Sequence, residues 1–362
     1  MNKNTNVQST IDKIDKIHVN ASSPYDIFIG KGILKNSGTI VRKLNKGENA
    51  VIITDDNVDK LYSQVVLDSL KDAGYKVSKF VFPHGEPSKS HKVLMPIYEF
   101  LAEHSVTRSD VLIGLGGGIT GDMTGFAAAS YLRGLDFVQI PTTLLAQVDS
   151  SVGGKTGIDI AAGKNLVGAF KQPIAVICDI NTLSTLSQEI FADGMAEVIK
   201  HGMIRSEKLF DMVFKGDFDE KILDVVKQNI LIKARVVEND EKEKGERMQL
   251  NFGHTLGHAI ERYYNYTSIT HGQAVAIGMS IFTNLAERQG LCEKGLHEKL
   301  CKCLENNKLP IKTNINIEEL YEFSLKDKKR LSNGINIILC TNVGKCITKN
   351  LTINEYKKFL QI

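Results

Sequence analysis

Two kinds of chemistry are written into the residue types of this 362-residue chain. The first is a phosphate cradle. Asp110-Val111-Leu112-Ile113 is an apolar run short enough for a buried parallel strand, and it breaks into Gly114, Gly116, Gly117 and Gly118 where such a strand turns into a helix. Glycine lets backbone N–H groups approach a phosphate closely, and the helix N-terminus behind it adds unpaired donors and partial positive charge. The spacing does not fit GxGxxG cleanly, and no Gly-Lys-Ser/Thr closes a Walker A loop, so on this loop alone a tight turn without a ligand stays open. Gln139-Ile140-Pro141-Thr142-Thr143 then ends a second strand in hydroxyls, and Asp149 to Gly157 forms a second glycine-rich loop carrying Lys155. Two such loops at neighbouring strand ends suit a ligand with several phosphates.

The second chemistry is metal binding. Glu197 and Lys200 stand three apart on one helical pattern, His254 and His258 four apart on another, and His271 opens a third. A carboxylate and imidazoles converging on one point make a nitrogen and oxygen site that fits zinc or a similar divalent ion. Spacing by itself favours His254 and His258 as the paired ligands, with capping or core histidines as the alternative. Lys155, Lys164, Lys200, Lys233 and Arg247 complete the chemistry. Four of these five stand beside glycines or apolar residues rather than in charge runs, which favours a clustered anion site over solvated surface charge.

These residues need elements to hold them. Asn49–Asp55, Tyr75–Phe82 and the run before Gly114 read as buried strands, separated by helical patterns over about Val58–Ala73 and His91–His104. Such alternation implies a largely parallel sheet with helices on both faces and ligands at the carboxyl ends of its strands. Asp55 and Asn57 follow one strand and Glu86 and Lys89 the next, as ribose or phosphate partners or as ordinary loop and cap residues. After Thr185 the texture becomes helical until the strand patterns Gly334–Leu339 and Lys345–Thr348, which sets a boundary near residue 186.

Composition frames the rest. Hydrophobic residues make up 42% and charged residues 24%, with a net charge of +3, so bulk electrostatics name no polyanionic partner and nucleic acid is not expected. No apolar run approaches a bilayer span and the N-terminus lacks a secretory pattern, so the expectation is a cytoplasmic protein without membrane contact. The six cysteines have no zinc-knuckle or redox spacing and read as reduced structural thiols.

The strings GGGITGDMTGFAAASYLRG, FVQIPTTLLAQVDSSVGGKTGID, KNLVGAF, GMAEVIKHG, LNFGHTLGHAIE and HGQAVAIGM, spread over about residues 83–280, resemble 3-dehydroquinate synthase within the sugar phosphate cyclases. The resemblance implies an N-terminal α/β Rossmann-like NAD domain (residues 16–186), a mostly α-helical metal- and substrate-binding domain (187–362) and a homodimer; residues 1–15, polar and without counterpart in the family core, read as a flexible extension. It implies NAD and Zn2+ or Co2+ as cofactors. Glu197, His254 and His271 become the metal ligands, and His258 moves to the substrate side. Asp55, Asn57, Glu86, Lys89, Gly117, Gly118, Asp122, Thr142, Thr143, Lys155, Lys164, Thr182 and Thr185 match positions that hold NAD. Asp149, Lys155, Asn165, Lys200, Lys233, Arg247, Asn251 and His258 match the catalytic shell, beside Lys164 and Leu250. The family's C-terminal Asp-Lys-Lys is matched by Asp327-Lys328-Lys329. Ile119-Thr120 departs from the common Val-Ile, and residues 286–362 match weakly.

The reaction so implied is a carbon–oxygen lyase step of the shikimate pathway. A sugar phosphate, 3-deoxy-D-arabino-heptulosonate 7-phosphate, becomes 3-dehydroquinate and phosphate by transient NAD oxidation, elimination, re-reduction and aldol cyclisation. A sister cyclase, an NAD-dependent polyol dehydrogenase and a silent NAD- and metal-binding protein are the alternatives. The cations and Leu250 with Asn251 favour a carboxylate-bearing substrate.

Overall fold

The computed structural model describes residues 14–217, 219–328 and 334–362. The chain groups into two compact units: one runs to Leu186 and takes in Lys233–Glu241, the other comprises Ser187–Ile232 and Lys242–Ile362. Lys233, which a single boundary near 186 assigns to the second domain, therefore lies with the first.

The first unit is built on a seven-stranded sheet of order β1-β2-β9-β6-β5-β3-β4. Its strands are β1 (Asp15–Val19), β2 (Tyr25–Gly30), β3 (Asn49–Asp55), β4 (Lys76–Phe82), β5 (Val111–Gly116), β6 (Asp136–Pro141) and β9 (Ala175–Asp179). β1 runs antiparallel to β2, and the other neighbours are parallel. The central strands read as unbroken apolar runs because both faces are covered. Ala50 and Ile52 of β3 pack with Ile40, Val66 and Leu70 from the helices Ser37–Leu44 and Gln64–Asp72. Val51 and Ile53, pointing the other way, pack with Leu94, Ile97, Met123 and Ala127 from the helices His91–Glu103 and Gly118–Ser130.

At the N-terminal ends of the strands, Asp110 is 1% exposed and accepts hydrogen bonds from the Glu48 and Asn49 amides, the Asn49 side chain, and the Thr107 amide and hydroxyl. Burial works against its charge, and the bonds from Asn49 and Thr107 outweigh that and hold its carboxyl below the usual range.

Two details differ from the sequence reading. The first strand starts at Asp15, inside the expected extension, whose residues 1–13 lie outside the described residues. The second glycine loop is only partly a loop: Asp149 sits in the helical turn Ala146–Ser150, and Lys155 opens an antiparallel ribbon of β7 (Lys155–Ile160) and β8 (Gly163–Phe170). Gly157 and Gly168 are cross-strand partners, and a Cβ on Gly168 would meet Thr156 O at 2.1 Å, so glycine permits the pairing there.

The second unit is mostly helical, as the sequence implies, with the helices Gln188–Arg205, Glu207–Val213, His254–Tyr263, His271–Arg288, Leu296–Asn306, Ile317–Lys328 and Ile353–Phe359. Its strands β10 (Ile335–Asn342) and β11 (Lys345–Leu351) form an antiparallel ribbon. Leu256, Ile260, Ile277, Phe282, Leu320, Ile337 and Tyr356 lie in one core. Among the described residues no helix is long and apolar enough to cross a membrane.

Candidate active site

In the second unit three helices deliver one polar cluster. The helix Gln188–Arg205 is buried along most of its length, so Glu197 at 0% and Lys200 at 1% side-chain exposure are held inside the fold rather than on a solvated face. The other two helices cross at glycines. A Cβ on Gly278 would meet Gly253 O at 2.1 Å, and one on Gly257 would meet Val275 Cα at 3.2 Å. Gly253 itself has φ +81°, a backbone conformation that favours glycine. A capping box between Thr270 and Gln273 fixes the start of the other helix at His271.

The consequence is convergence. His254 Nε2 lies 3.7 Å and His271 Nε2 3.6 Å from Glu197 Oε1, and one donor atom from each residue falls within 4.8 Å of the others. The outer nitrogens are already engaged: His254 Nδ1 lies 3.2 Å from Phe252 O and His271 Nδ1 3.4 Å from Glu261 Oε2. In the neutral rings that places the protons on Nδ1 and aims both Nε2 lone pairs at the carboxylate. Lys200 Nζ donates to Glu197 Oε2, while Glu197 Oε1 is buried without a hydrogen-bond partner. Two lone-pair nitrogens facing an unsatisfied buried carboxylate oxygen is an arrangement that a divalent cation completes, so the residues present fit such an ion.

The electrostatics agree with that fit at Glu197 and His254. Burial opposes charge on Glu197, and Lys200 with the two imidazoles overrides it and holds the carboxyl well below its usual range. Burial and Lys200 push His254 down to about 3, keeping it neutral. His271 behaves oppositely: against burial, Glu197 and Glu261 hold it well above its usual value. His258 is exposed and shares a second group with Glu261 and His271. His254 and His258, the pair favoured by spacing, have ring centroids 5.4 Å apart, but among the described residues no group of three converging donors holds both. Arg247 is 2% and Leu250 8% exposed in the turn Glu246–Asn251, and Asn251 donates to Glu243 at 2.8 Å.

In the first unit the candidates gather at the carboxyl edge of the sheet. The chain passes from β3 outward to β4, then returns to β5 on the other side of β3, which makes the crevice between β3 and β5 a topological switch point. Asp55 ends β3, Gly116 ends β5, and Gly117 and Gly118 follow it. No side chain caps the helix Gly118–Ser130, so its first amides are open to an anion. A Cβ on Gly117 would come within 3.2 Å of Thr143 Cγ2, and one on Gly118 within 3.0 Å of Ser150 Oγ. At the end of β6, Thr142 Oγ1 is buried without a partner. An uncapped helix N-terminus beside an unsatisfied hydroxyl fits a dinucleotide phosphate.

The remaining candidates there form groups of their own. Lys89 Nζ reaches Asp122 Oδ2 at 2.6 Å and also Asn165 Oδ1, and against burial Asp122 holds it above its usual range. Lys164 Nζ pairs with Glu86 Oε1 at 2.9 Å, and Lys233 Nζ with Asp149 Oδ1 at 2.6 Å. Asp55 Oδ1 accepts from the Asn57 and Val58 amides at 3.0 Å, the helix-cap role, while Oδ2 lies 3.4 Å from Thr120 Oγ1. Thr182 is buried and bonded to Asp179 O, and Thr185 bonds Tyr62 at 2.6 Å. Lys155 is exposed at the start of β7. Lys329 lies outside the described residues, as do the side chains of Asp327 and Lys328.

Glu261 is absent from the sequence-level candidates. Its signal was available, because His254, His258 and Glu261 follow a helical i, i+4, i+7 spacing.

Comparison with known proteins adds the following. Family models described as 3-dehydroquinate synthase N-terminal and C-terminal match residues 79–193 and 194–330. A 3-dehydroquinate synthase from Clostridium acetobutylicum is 46% identical over 343 residues, covering 93% of this chain and 96% of the relative. Two solved structures share the fold with a TM-score of 0.84. One is 2-deoxy-scyllo-inosose synthase with carbaglucose-6-phosphate, NAD+ and Co2+, at 24% identity over 96% of this chain and 99% of that one. The other is ValA, the 2-epi-5-epi-valiolone synthase from Streptomyces hygroscopicus, with NAD+ and Zn2+, at 22% identity over 93% and 96%.

Proposed function

Because the chain belongs to the 3-dehydroquinate synthase family, we propose a division of that family's reaction among the residues described above. The activity is conversion of 3-deoxy-D-arabino-heptulosonate 7-phosphate into 3-dehydroquinate and phosphate, with NAD and a divalent metal as cofactors. The observation that supports the division best is Glu197 Oε1, buried, unsatisfied and faced by two imidazole nitrogens.

Glu197, His254 and His271 would hold the cation, Zn2+ or Co2+. Gly117, Gly118, Asp122, Thr142, Thr143, Thr182 and Thr185 would hold NAD, together with Asp55, Asn57, Glu86, Lys89, Lys155 and Lys164. When bound, the cation supplies Lewis-acid polarisation of hydroxyl oxygens, and NAD supplies reversible hydride transfer. Lys200 fixes Glu197 Oε2, which leaves Oε1 as the ligand atom. Lys155, Lys233 and Arg247 are assigned to the anionic groups of the substrate, with Asp149 orienting Lys233 through their ion pair. Asn165, Asn251 and His258 are assigned to its hydroxyls. The departing phosphate can take the proton removed in its own elimination, which leaves the protein chiefly to position the sugar.

The test is release of inorganic phosphate from the heptulosonate phosphate with NAD and Zn2+, while NADH absorbance is followed. Phosphate without accumulating NADH, abolished by chelator, is the expected result. Steady NADH from a polyol without phosphate would overturn the cyclase in favour of a dehydrogenase.

The proposal includes a homodimer in the cytoplasm. β8 leaves Leu166 59% and Phe170 44% exposed on one face in the single chain, an apolar stripe that a second copy would cover. Light scattering that returned a single chain mass would refute the dimer. Fractionation placing the protein outside the cytoplasm would refute the location.

A further inference from the structure

Glu86, Lys89, Lys164 and Asn165 come from two separate turns, one after β4 and one at the start of β8. Asp159, near the end of β7 and the last residue of the matched string FVQIPTTLLAQVDSSVGGKTGID, joins them. Its Oδ1 accepts the Asn165 amide at 2.7 Å, and Asn165 has φ +54°, a left-handed conformation that a non-glycine residue keeps only when it is held. Its own amide donates to Lys89 O at 2.8 Å, and Ser90 and Asp159 form a parallel bridge. The Asn165 side chain in turn accepts from Lys89 Nζ through its Oδ1.

These contacts close a loop: Asp159 meets Lys89 through the backbone and Asn165 through its carboxyl, and Asn165 meets the Lys89 ammonium. Lys164, the residue before Asn165, is paired with Glu86 Oε1 at 2.9 Å.

We propose that Asp159, accepting from the Asn165 amide and bonded through its own amide to Lys89, is the positioning residue that sets Lys89 and Asn165 in one arrangement for NAD and substrate. It rests on the functional reading above. Asp159 does not touch the reacting atoms in this account; it acts through these two neighbours. Asparagine keeps a side-chain oxygen to accept from the Asn165 amide, whereas alanine removes that contact.

The experiment compares Asp159→Asn and Asp159→Ala in the full chain by calorimetric NAD titration, by steady-state kinetics, and by amide exchange at Asn165. In Asp159→Asn, NAD affinity and KM should stay within about threefold of the parent. In Asp159→Ala, NAD affinity should fall about tenfold and KM for the sugar phosphate rise similarly, with kcat changing less. Asn165 exchange should be slow in the first variant and fast in the second. Unchanged affinity and KM in Asp159→Ala would overturn the proposal, and so would Asp159→Asn as impaired as the alanine. If the alanine variant does not fold, Asp159→Ser, too short to reach the Asn165 amide, takes its place. An unmodified protein that binds no NAD would instead defeat the functional reading, and equal Asn165 exchange in the two variants would still overturn this proposal separately.

Discussion

The metal cluster of the helical unit and the nucleotide edge of the sheet unit handle their charges in opposite ways. At the sheet edge, cations and carboxylates neutralise one another: Lys89 with Asp122, Lys164 with Glu86, Lys233 with Asp149. In the helical cluster Lys200 engages one oxygen of Glu197 and the other is left unsatisfied. A ligand at the sheet edge must therefore rearrange existing pairs, whereas a cation at Glu197 fills a deficit. An internally paired site is stable empty and exchanges its ligand; an unsatisfied buried carboxylate favours permanent occupancy.

Substitutions can break or sharpen that contrast. The largest effect is expected from Glu197→Ala, which should lose the bound metal by elemental analysis and lower turnover roughly 10³-fold or more, leaving NAD affinity unchanged. Retention of one metal per chain in that variant would move the ion to the neighbouring group of His258, Glu261 and His271 and redraw the comparison. Lys200→Ala should lower turnover by about two orders of magnitude, again with NAD titration nearly unaltered. Full activity in it would remove Lys200 from the mechanism. Glu261→Gln weakens the acceptor that orients His271, so metal affinity measured by chelator competition should drop about 10- to 100-fold; an unchanged affinity would mean that the ring needs no such anchor.

The smallest expected effect lies at the opposite edge of the sheet. Asp110 is an ionised hub whose folded-state pKa is depressed, so its stabilisation is complete above the ordinary carboxyl range and disappears as pH falls through the lower folded value. Asp110→Asn should cost roughly 1–3 kcal/mol in urea unfolding at neutral pH, with the difference shrinking in acid. A difference that grew on acidification would contradict the assignment.

The two regions were also unequally legible in the sequence. The alternation of apolar runs and amphipathic stretches announced the parallel sheet and the helical second half, because both follow from local periodicity. Glu197 with Lys200, and the histidines at 254, 258 and 271, stood out because helical spacing places ligands on one face. Spacing could not choose among them: it favoured His254 with His258, while the fold brings His254 and His271 to Glu197 through a helix crossing that no local pattern encodes. Resemblance supplied what spacing lacked. Asp159, although inside a matched string, received no role by either route. Its partners lie on separate turns, joined only by strand pairing and the ribbon of β7 and β8, itself hidden in a stretch that read as loop. Asp55, weighed as a ribose partner or a cap, proves to cap a helix with one oxygen and keep the other toward Thr120.

The glycines at the helix crossing carry an evolutionary consequence. Gly278 lies against the carbonyl of Gly253 and Gly257 against the backbone of Val275, with no side chain between to yield. A saturating mutational scan would therefore show Gly257 and Gly278 as intolerant as the ligands themselves, although neither offers a donor atom. Single steps away from glycine would be purged, and the distance between His254 and His271 would be inherited through residues that do no chemistry.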